Sequence, residues 1–177
     1  MDYNNSGCGM GQAEYLFKTA RLGFRLLQPK DIDYFADLNG DPDVRAFFPD
    51  FIQNRQQSKK RMEELIGYYK DNSLPCFLMF LLESDEFVGR CGFGPIETGE
   101  IEVGYLLHKK FWGQGYATEA LSTVLEWAKK NIDSDEIIAF APVDHIASQR
   151  VMEKCGMHFY KSDIGHGAQC KFYKIKI

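Results

Sequence analysis

The segment Lys110–Ala128 has the sequence Lys-Phe-Trp-Gly-Gln-Gly-Tyr-Ala-Thr-Glu-Ala-Leu-Ser-Thr-Val-Leu-Glu-Trp-Ala. Two glycines, Gly113 and Gly115, come directly before a run with helical periodicity. The small and apolar side chains of that run recur every three or four residues, as on one face of a helix: Ala117, Ala120, Leu121, Val124, Leu125 and Ala128. The segment therefore predicts a glycine turn that leads into a helix with one buried face.

Such a turn has the chemistry of an anion site. The first N–H groups of a helix have no partner within the helix and lie at the positive end of its dipole. A phosphate suits this position, and glycine lets the backbone come close to it. Glycines before a helix also commonly do no more than end a loop, so the segment alone leaves both interpretations open.

The length and composition of the chain are typical of one soluble globular domain. A chain of 177 residues can bury roughly 70% of the surface that it exposes when unfolded. We expect residues 1–14 to form a flexible tail and residues 15–177 to form a single domain. The net charge of −4 disfavours broad binding to nucleic acid or to anionic membranes.

Targeting and cysteine patterns favour a cytoplasmic protein. No apolar run reaches the length of a membrane span, and residues 1–15 lack the basic start and apolar core of a secretory signal. The 5 cysteines are odd in number, are widely spaced and never form a C-x-x-C pair. The sequence therefore suggests neither a disulfide framework nor a metal site.

Periodicity and turn residues predict a chain of alternating strands and helices. Seven strands are expected at about residues 16–27, 75–82, 87–93, 100–107, 136–141, 157–161 and 171–177, and the main helices at about 30–40, 53–69, 117–128 and 144–155. A short helix is expected after Asp41 as cap, and Gly104 predicts a bulge in the fourth strand. This order predicts an α/β (α+β) fold, with a mixed sheet and helices on its faces.

Three motifs resemble the GNAT superfamily of acyl-CoA-dependent N-acyltransferases. They are Gly104-Tyr105-Leu106-Leu107, Phe111-Trp112-Gly113-Gln114-Gly115-Tyr116-Ala117-Thr118-Glu119-Ala120 and Ala147-Ser148-Gln149-Arg150-Val151-Met152-Glu153-Lys154-Cys155-Gly156-Met157. The resemblance extends from about Leu16 to the end of the chain and is strongest to the branch that acetylates ribosomal-protein N-termini. It implies a mostly antiparallel seven-stranded sheet in which two parallel neighbours splay apart.

The resemblance also implies acetyl-CoA as cosubstrate. Its pyrophosphate would bind the turn formed by Lys110, Phe111, Trp112, Gly113, Gln114 and Gly115, next to Tyr116, Ala117 and Thr118 at the start of the helix. Its pantetheine arm would pair with Leu106 and Leu107, between the strands that end near Leu107 and Ala141, with His145 and Ser148 nearby. Pro142, which lacks an N–H, would end strand pairing there, and backbone N–H groups near Gly104 would face the thioester oxygen.

Ser148 matches the family serine near the CoA sulfur and is the candidate hydrogen-bond donor to the departing thiolate. A small residue that only satisfies a helix carbonyl would look the same in the sequence. Many members of the superfamily place a tyrosine donor one turn later, where this chain has Met152. A tyrosine acid at that position is therefore excluded, and Tyr160 or Tyr105 would need support of its own.

Glu102 is the candidate general base, because by strand alternation it shares a face with Gly104 and Leu106. A solvent-facing glutamate beside Glu100 is the alternative. His145 stands where the family branch usually has asparagine. An imidazole can position a ligand or act as a base, and we favour a positioning or structural role. Asp144 is expected to cap the following helix.

The implied reaction is direct attack of a neutral amine on the acetyl thioester. At pH 7, freeing the lone pair of an α-amine costs about 1.4 kcal/mol, whereas a lysine amine costs about 4.6 kcal/mol. A protein or peptide N-terminus is therefore the favoured acceptor, with a small-molecule amine (polyamine, amino sugar or antibiotic) as the alternative. A non-catalytic acyl-CoA-binding module is the third possibility. We expect a monomer or homodimer without nucleic-acid or membrane partners.

Overall fold

The computed structural model describes residues 14–48 and 52–177. Apart from Glu14, the predicted flexible tail lies outside the described residues. The strands are β1 (Phe17–Lys18), β2 (Leu22–Leu26), β3 (Cys76–Leu81), β4 (Phe87–Pro95), β5 (Ile101–Leu107), β6 (Glu136–Pro142), β7 (His158–Gly165) and β8 (Ala168–Lys176). The helices are α1 (Ile32–Gly40), α2 (Pro42–Arg45), α3 (Arg55–Asn72), α4 (Tyr116–Asn131) and α5 (Ile146–Lys154), with short 3-10 turns at Pro29–Asp31 and Lys109–Phe111.

The strands form one sheet in the order β1-β2-β3-β4-β5-β6-β8-β7. Every neighbouring pair is antiparallel except β5–β6, which confirms the predicted mixed and mostly antiparallel sheet. The described residues form eight strands instead of seven, because the predicted first strand folds back on itself. The Thr19 hydroxyl accepts the Leu22 N–H at 2.9 Å, and the Leu22 carbonyl accepts the Thr19 N–H at 2.8 Å. This turn divides the segment into β1 and β2.

The parallel pair β5–β6 is joined at a single register position, Glu102 with Ile138. Beyond that position β6 continues to pair with β8 as far as Pro142 opposite Cys170. The predicted splay is therefore confirmed, but it begins after Ile138, before Pro142 is reached. The missing N–H of Pro142 is not what separates the strands.

The predicted bulge at Gly104 is wrong. The β4–β5 register runs without interruption from Gly89 opposite Leu107 to Pro95 opposite Ile101, with Gly104 directly opposite Gly92. No extra residue is inserted in β5. What changes along this strand is that it loses its neighbour β6 on the side away from β4. The register shifts lie between Met79 and Phe80 and between Phe159 and Lys161.

Helices cover both faces of the sheet, as predicted. One face packs against α4 and α5 through Leu121, Val124, Ile137 and Met152. The other packs against α1, α2 and α3 through a separate cluster that includes Phe35, Leu38, Val44, Met62 and Leu78. The predicted buried face of α4 is confirmed, except that Ala117 is only half-buried.

A capping box marks the start of α3, whereas α5 begins without a side-chain cap. At α3, Asn54 and Gln57 form a reciprocal capping box, with both hydrogen bonds at 2.9 Å. The N-cap position of α5 is His145, so the prediction that Asp144 caps this helix is wrong. Within residues 14–48 and 52–177, no helix combines the length and the apolar character needed to cross a bilayer.

The packing of α4 generates a stability prediction. Leu121 is fully buried against the sheet, so Leu121→Ala should lower the free energy of unfolding by about 2–5 kcal/mol through lost burial and a residual cavity. Ser122→Ala, one residue away on the exposed side, should change it by less than about 0.5 kcal/mol. Urea unfolding of both variants measures the difference. Equal effects would contradict the assignment of the buried face.

Candidate active site

A cleft of about 1300 Å³ opens where β5 and β6 separate. One end lies at the turn before α4 and is lined by Trp112, Gly113, Gly115 and Thr118. The other end, which we call the acceptor end, lies under α1–α3 and the β7–β8 hairpin and is lined by Arg45, Phe48, Arg61, Tyr68, Arg90, Gly94 and His166. The two ends meet at the unpaired edges of β5 and β6.

The turn before α4 has the backbone conformation that an anion site requires. Gly113 has φ +72° and Gly115, at the N-cap of α4, has φ +83°, a region that side chains rarely adopt. A Cβ at Gly113 would meet no atom within 4 Å, so the space in front of the turn is open. The first amides of the 16-residue α4 therefore border open space, as phosphate binding requires.

Arg21 ties this turn to the first strands. Its Nη1 donates to the Gln114 carbonyl at 2.9 Å, its guanidinium lies 4.1 Å from the centre of the Tyr116 ring, and it forms an ion pair with Glu119 at 2.6 Å. Burial alone would raise the pKa of Glu119, but the hydrogen bonds from Thr19 and Arg21 outweigh it and lower that pKa. Glu119 is therefore ionised and neutralised by Arg21, which leaves anion binding to the backbone amides.

Most of the predicted cofactor-binding residues line the cleft. They are Leu106, Leu107, Phe111, Trp112, Gly113, Gly115, Tyr116, Ala117, Thr118, His145 and Ser148. The side chains of Lys110 and Gln114 do not. Lys110 forms an ion pair with Glu86 on the outer surface, and Gln114 Nε2 donates to the Lys110 carbonyl at 2.7 Å. These two side chains stabilise the turn from outside, and only their backbone belongs to it.

Ser148 lies in the first turn of α5 and contacts Tyr105 of β5. The two side-chain oxygens are 2.8 Å apart, and the Tyr105 hydroxyl also donates to the Ser148 carbonyl at 3.1 Å. Burial raises the pKa of Tyr105, so its hydroxyl stays protonated at neutral pH. The pair bridges the parting strand and the helix, and it can present a hydroxyl proton from Ser148 to the cleft.

Glu102 lines the cleft at the point where the strands begin to separate. Its Oε2 lies 3.3 Å from Nε2 of His166 in the β7–β8 turn, and the His166 ring contacts Phe140 with centroids 4.8 Å apart. Glu100 differs, because it accepts hydrogen bonds from Thr98 at 2.8 Å and Tyr160 at 3.1 Å. Of these two glutamates, Glu102 lines the cleft and Glu100 does not.

His145 stacks on Phe47 from the link between α2 and α3. The ring centroids are 3.7 Å apart and the planes differ by 5°. Burial lowers the pKa of His145, so the imidazole is neutral at pH 7. This contact joins α5 to the opposite wall of the cleft, which supports the predicted positioning role.

The sequence did not identify Tyr105, Arg21 or His166 as members of the site. Tyr105 belongs to a motif that was recognised, but nothing in its spacing indicates a contact with Ser148, 43 residues later. Arg21 and Gln114 are 93 residues apart. The turn between β1 and β2 places Arg21 beside the turn before α4, and the β7–β8 hairpin places His166 in the cleft.

The model of a family described as the acetyltransferase (GNAT) domain matches residues 21–158. Among curated proteins, an uncharacterised Bacillus subtilis protein, YkkB, is 29% identical over 152 residues, which cover 81% of this chain and 86% of that protein. The family match over residues 21–158 includes the turn before α4, the strands β5 and β6, and α5.

Solved structures show the same architecture. A GNAT-family acetyltransferase from Bacillus anthracis superimposes with a TM-score of 0.75 at 25% identity, over 90% of this chain and 96% of that one. The ribosomal L7/L12 alpha-N-protein acetyltransferase RimL, in complex with coenzyme A, superimposes with a TM-score of 0.78 at 18% identity, over 93% and 98% of the two chains. The second likeness concerns the fold alone.

The open turn at Gly113 generates a binding prediction. Gly113→Glu places a carboxylate where the turn would hold a phosphate, and repulsion should raise the dissociation constant for coenzyme A by at least about 10-fold. Gly99→Glu is a matched control, because Gly99 also has a positive φ of +86° with no atom within 4 Å of a Cβ, and does not line the cleft. Calorimetric titration measures both. Unchanged affinity in a folded Gly113→Glu protein would contradict the phosphate assignment.

Proposed function

The chain belongs to the acetyltransferase (GNAT) domain family and is an N-acetyltransferase, and we propose that it transfers the acetyl group of acetyl-CoA directly to the α-amine of a protein or peptide N-terminus. The observation that carries the proposal is the meeting, in one cleft, of the glycine turn before α4 with the splayed pair β5–β6. A long, phosphate-bearing thioester fits such a cleft, since the anion binds at the turn and the extended arm lies between the strands.

The residues of the turn and of β5 fit this cosubstrate. The amides around Gly113 and Gly115 would hold the pyrophosphate, and the free edge of Leu106 and Leu107 would pair with the amides of the pantetheine arm. Acetyl-CoA supplies the acetyl thioester. The remaining chemistry is the placement of an amine and two proton movements.

The proton donor that we assign is Ser148. A Tyr105 hydroxyl that donates to Ser148 Oγ instead of to the Ser148 carbonyl leaves the serine proton free to point at the departing sulfur. A thiolate can depart with less help from a proton donor than an alkoxide can, because a comparable thiol has a pKa near 8.5. A single hydrogen bond that strengthens as charge develops is therefore sufficient.

Glu102 is the group that we assign to remove the amine proton. It lies on the strand that would carry the thioester and is held by His166 at 3.3 Å. An α-amine is already partly neutral at pH 7, so a carboxylate acting directly or through water meets the requirement.

Direct transfer is favoured over an acyl-cysteine intermediate. The two described cysteines that line the cleft, Cys76 and Cys170, both have their pKa raised by burial. A protonated thiol is a weak nucleophile. The amine itself is then the attacking group.

Thiol release from acetyl-CoA with a panel of amines tests this proposal. Short peptides with free N-termini should give turnover, and the same peptides blocked at the N-terminus should give none even when they contain lysine. Spermidine, glucosamine and an aminoglycoside represent the small-molecule alternative, and a clear preference for any of them would replace the α-amine proposal. Tight coenzyme A binding with no turnover on any amine would indicate a binding module.

The contact between Ser148 and Tyr105 generates a kinetic prediction. Ser148→Ala should lower kcat by about 10- to 100-fold with little change in the KM for acetyl-CoA, because a hydrogen bond to developing charge is worth about 1.5–3 kcal/mol. Tyr105→Phe should lower kcat by a smaller factor, and the double variant should be no slower than Ser148→Ala alone.

Tyr173→Phe is the matched control for the loss of a hydroxyl. Its hydroxyl donates to Glu153 at 3.2 Å, and Tyr173 does not line the cleft, so kcat should stay within about twofold of the unmodified enzyme. Additive effects of Ser148→Ala and Tyr105→Phe would show that the two hydroxyls do not act together.

A further inference from the structure

Three arginines line the acceptor end of the cleft and have no part in the acetyl transfer described above. Arg45 ends α2, Arg61 lies in α3 and Arg90 lies in β4. We call them the arginine cluster. They come from three separate elements on one face of the sheet, and their side chains are buried or partly buried. Buried cationic side chains are rare in proteins unless something compensates their charge.

Each guanidinium of the cluster lies against an aromatic ring. Arg45 lies over Phe48 at 4.2 Å, Arg61 over Tyr68 at 5.9 Å and Arg90 over Phe35 at 5.5 Å from the ring centroids. A contact of this kind is favourable for a guanidinium. A guanidinium can also pair with an acceptor that has two oxygens.

Arg90 is the member whose charge is least compensated. Arg61 has Glu64 at 3.1 Å, but Arg90 forms no ion pair within residues 14–48 and 52–177. Its Nε is buried and has no hydrogen-bond partner in those ranges. Burial, together with Arg61 and Arg45, lowers the pKa of Arg90. Arginine nevertheless stays protonated at neutral pH, so a buried positive charge remains.

Neither the Cys76 thiol nor the Glu102 carboxylate balances the charge of Arg90. The Cys76 thiol lies beside Arg90, but burial raises its pKa, so it is neutral. Glu102 lines the same cleft, but it lies opposite Gly94 in the β4–β5 register, whereas Arg90 lies opposite Leu106. Within residues 14–48 and 52–177 no ion pair balances Arg90, and an anion that enters the cleft would supply one.

We propose that the acceptor carries a carboxylate in addition to its amine, and that this carboxylate binds Arg90 beside Arg61. The inference rests on the proposed amine acetylation and names its substrate class. A carboxylate matches the paired N–H groups of a guanidinium, and the acceptor amine then lies toward the thioester. An amine together with such a carboxylate is found both in a peptide with Asp or Glu at its first or second position and in a free amino acid. Polycationic amines are disfavoured.

Calorimetric titration of the protein in the presence of coenzyme A tests the proposal without requiring turnover. The probes are two tetrapeptides, Ser-Glu-Ala-Ala-amide and Ser-Gln-Ala-Ala-amide, together with free glutamate and spermidine. The unmodified protein should bind the Glu peptide about 10- to 100-fold more tightly than the Gln peptide. Free glutamate binding as tightly as the Glu peptide would identify an amino acid as the source of the carboxylate, and weaker binding would identify a peptide.

Arg90→Gln should reduce the preference for the Glu peptide to within about threefold. Arg90→Lys should keep part of it, because it retains the charge without the paired N–H groups. The exposed Arg55, which pairs with Asp33 at 2.7 Å outside the cleft, provides the control Arg55→Gln, which should leave the preference intact. A ratio measured within one protein does not depend on the folded fraction, so partial destabilisation of a variant does not obscure the result.

Equal binding of the Glu and Gln peptides to the unmodified protein, or a preference that survives Arg90→Gln, would overturn the carboxylate inference. Tighter binding of spermidine than of the Glu peptide would also overturn it. Acetyl transfer to the same probes is measured separately. Selective binding of the Glu peptide without acetylation of any probe would leave this inference standing and count against the proposed function instead.

Discussion

The contact between β5 and β6 at one register position, Glu102 with Ile138, is the constraint on which the cleft depends. Parallel strands that stayed paired would satisfy each other's backbone groups and leave no space between them. Here β6 keeps its partner β8 on the other side, and β5 keeps β4, so each parting strand is stabilised by one neighbour. The edges facing the cleft are therefore unpaired but rigid, as a site that binds an extended ligand by strand pairing requires.

Side chains from distant segments stabilise this open arrangement. The Tyr105 hydroxyl bonds to Ser148 across the gap between β5 and α5, and His145 stacks on Phe47 from the opposite wall. Each contact uses groups that also border the cleft, so the same residues line the cleft and hold its walls in place. At the other end of the cleft, the hydrogen bond from Arg21 to the Gln114 carbonyl stabilises the turn before α4.

Charge is distributed unequally along the cleft. At the turn, Arg21 and Glu119 neutralise each other, so the positive potential there is that of the backbone amides and the helix dipole. At the acceptor end, positive charge lies on side chains that are stacked on aromatic rings, and Arg90 lacks an ion pair in the described part of the chain. A protein with a net charge of −4 thus has a partly buried, positively charged side chain inside its cleft.

The sequence by itself determined the parts of this protein that depend on local rules. The glycines at 113 and 115 and the periodicity of α4 predicted the turn and the helix, because both depend on neighbouring residues, and the resemblance of three motifs indicated the family. The position of the splay, the division of the first strand at Thr19 and the absence of a bulge at Gly104 were decided only in the tertiary structure, because each depends on which strand lies alongside. The same holds for the Tyr105–Ser148 bond and the arginine cluster. Their members are far apart in the chain, and no spacing rule relates residues that meet only when the sheet forms.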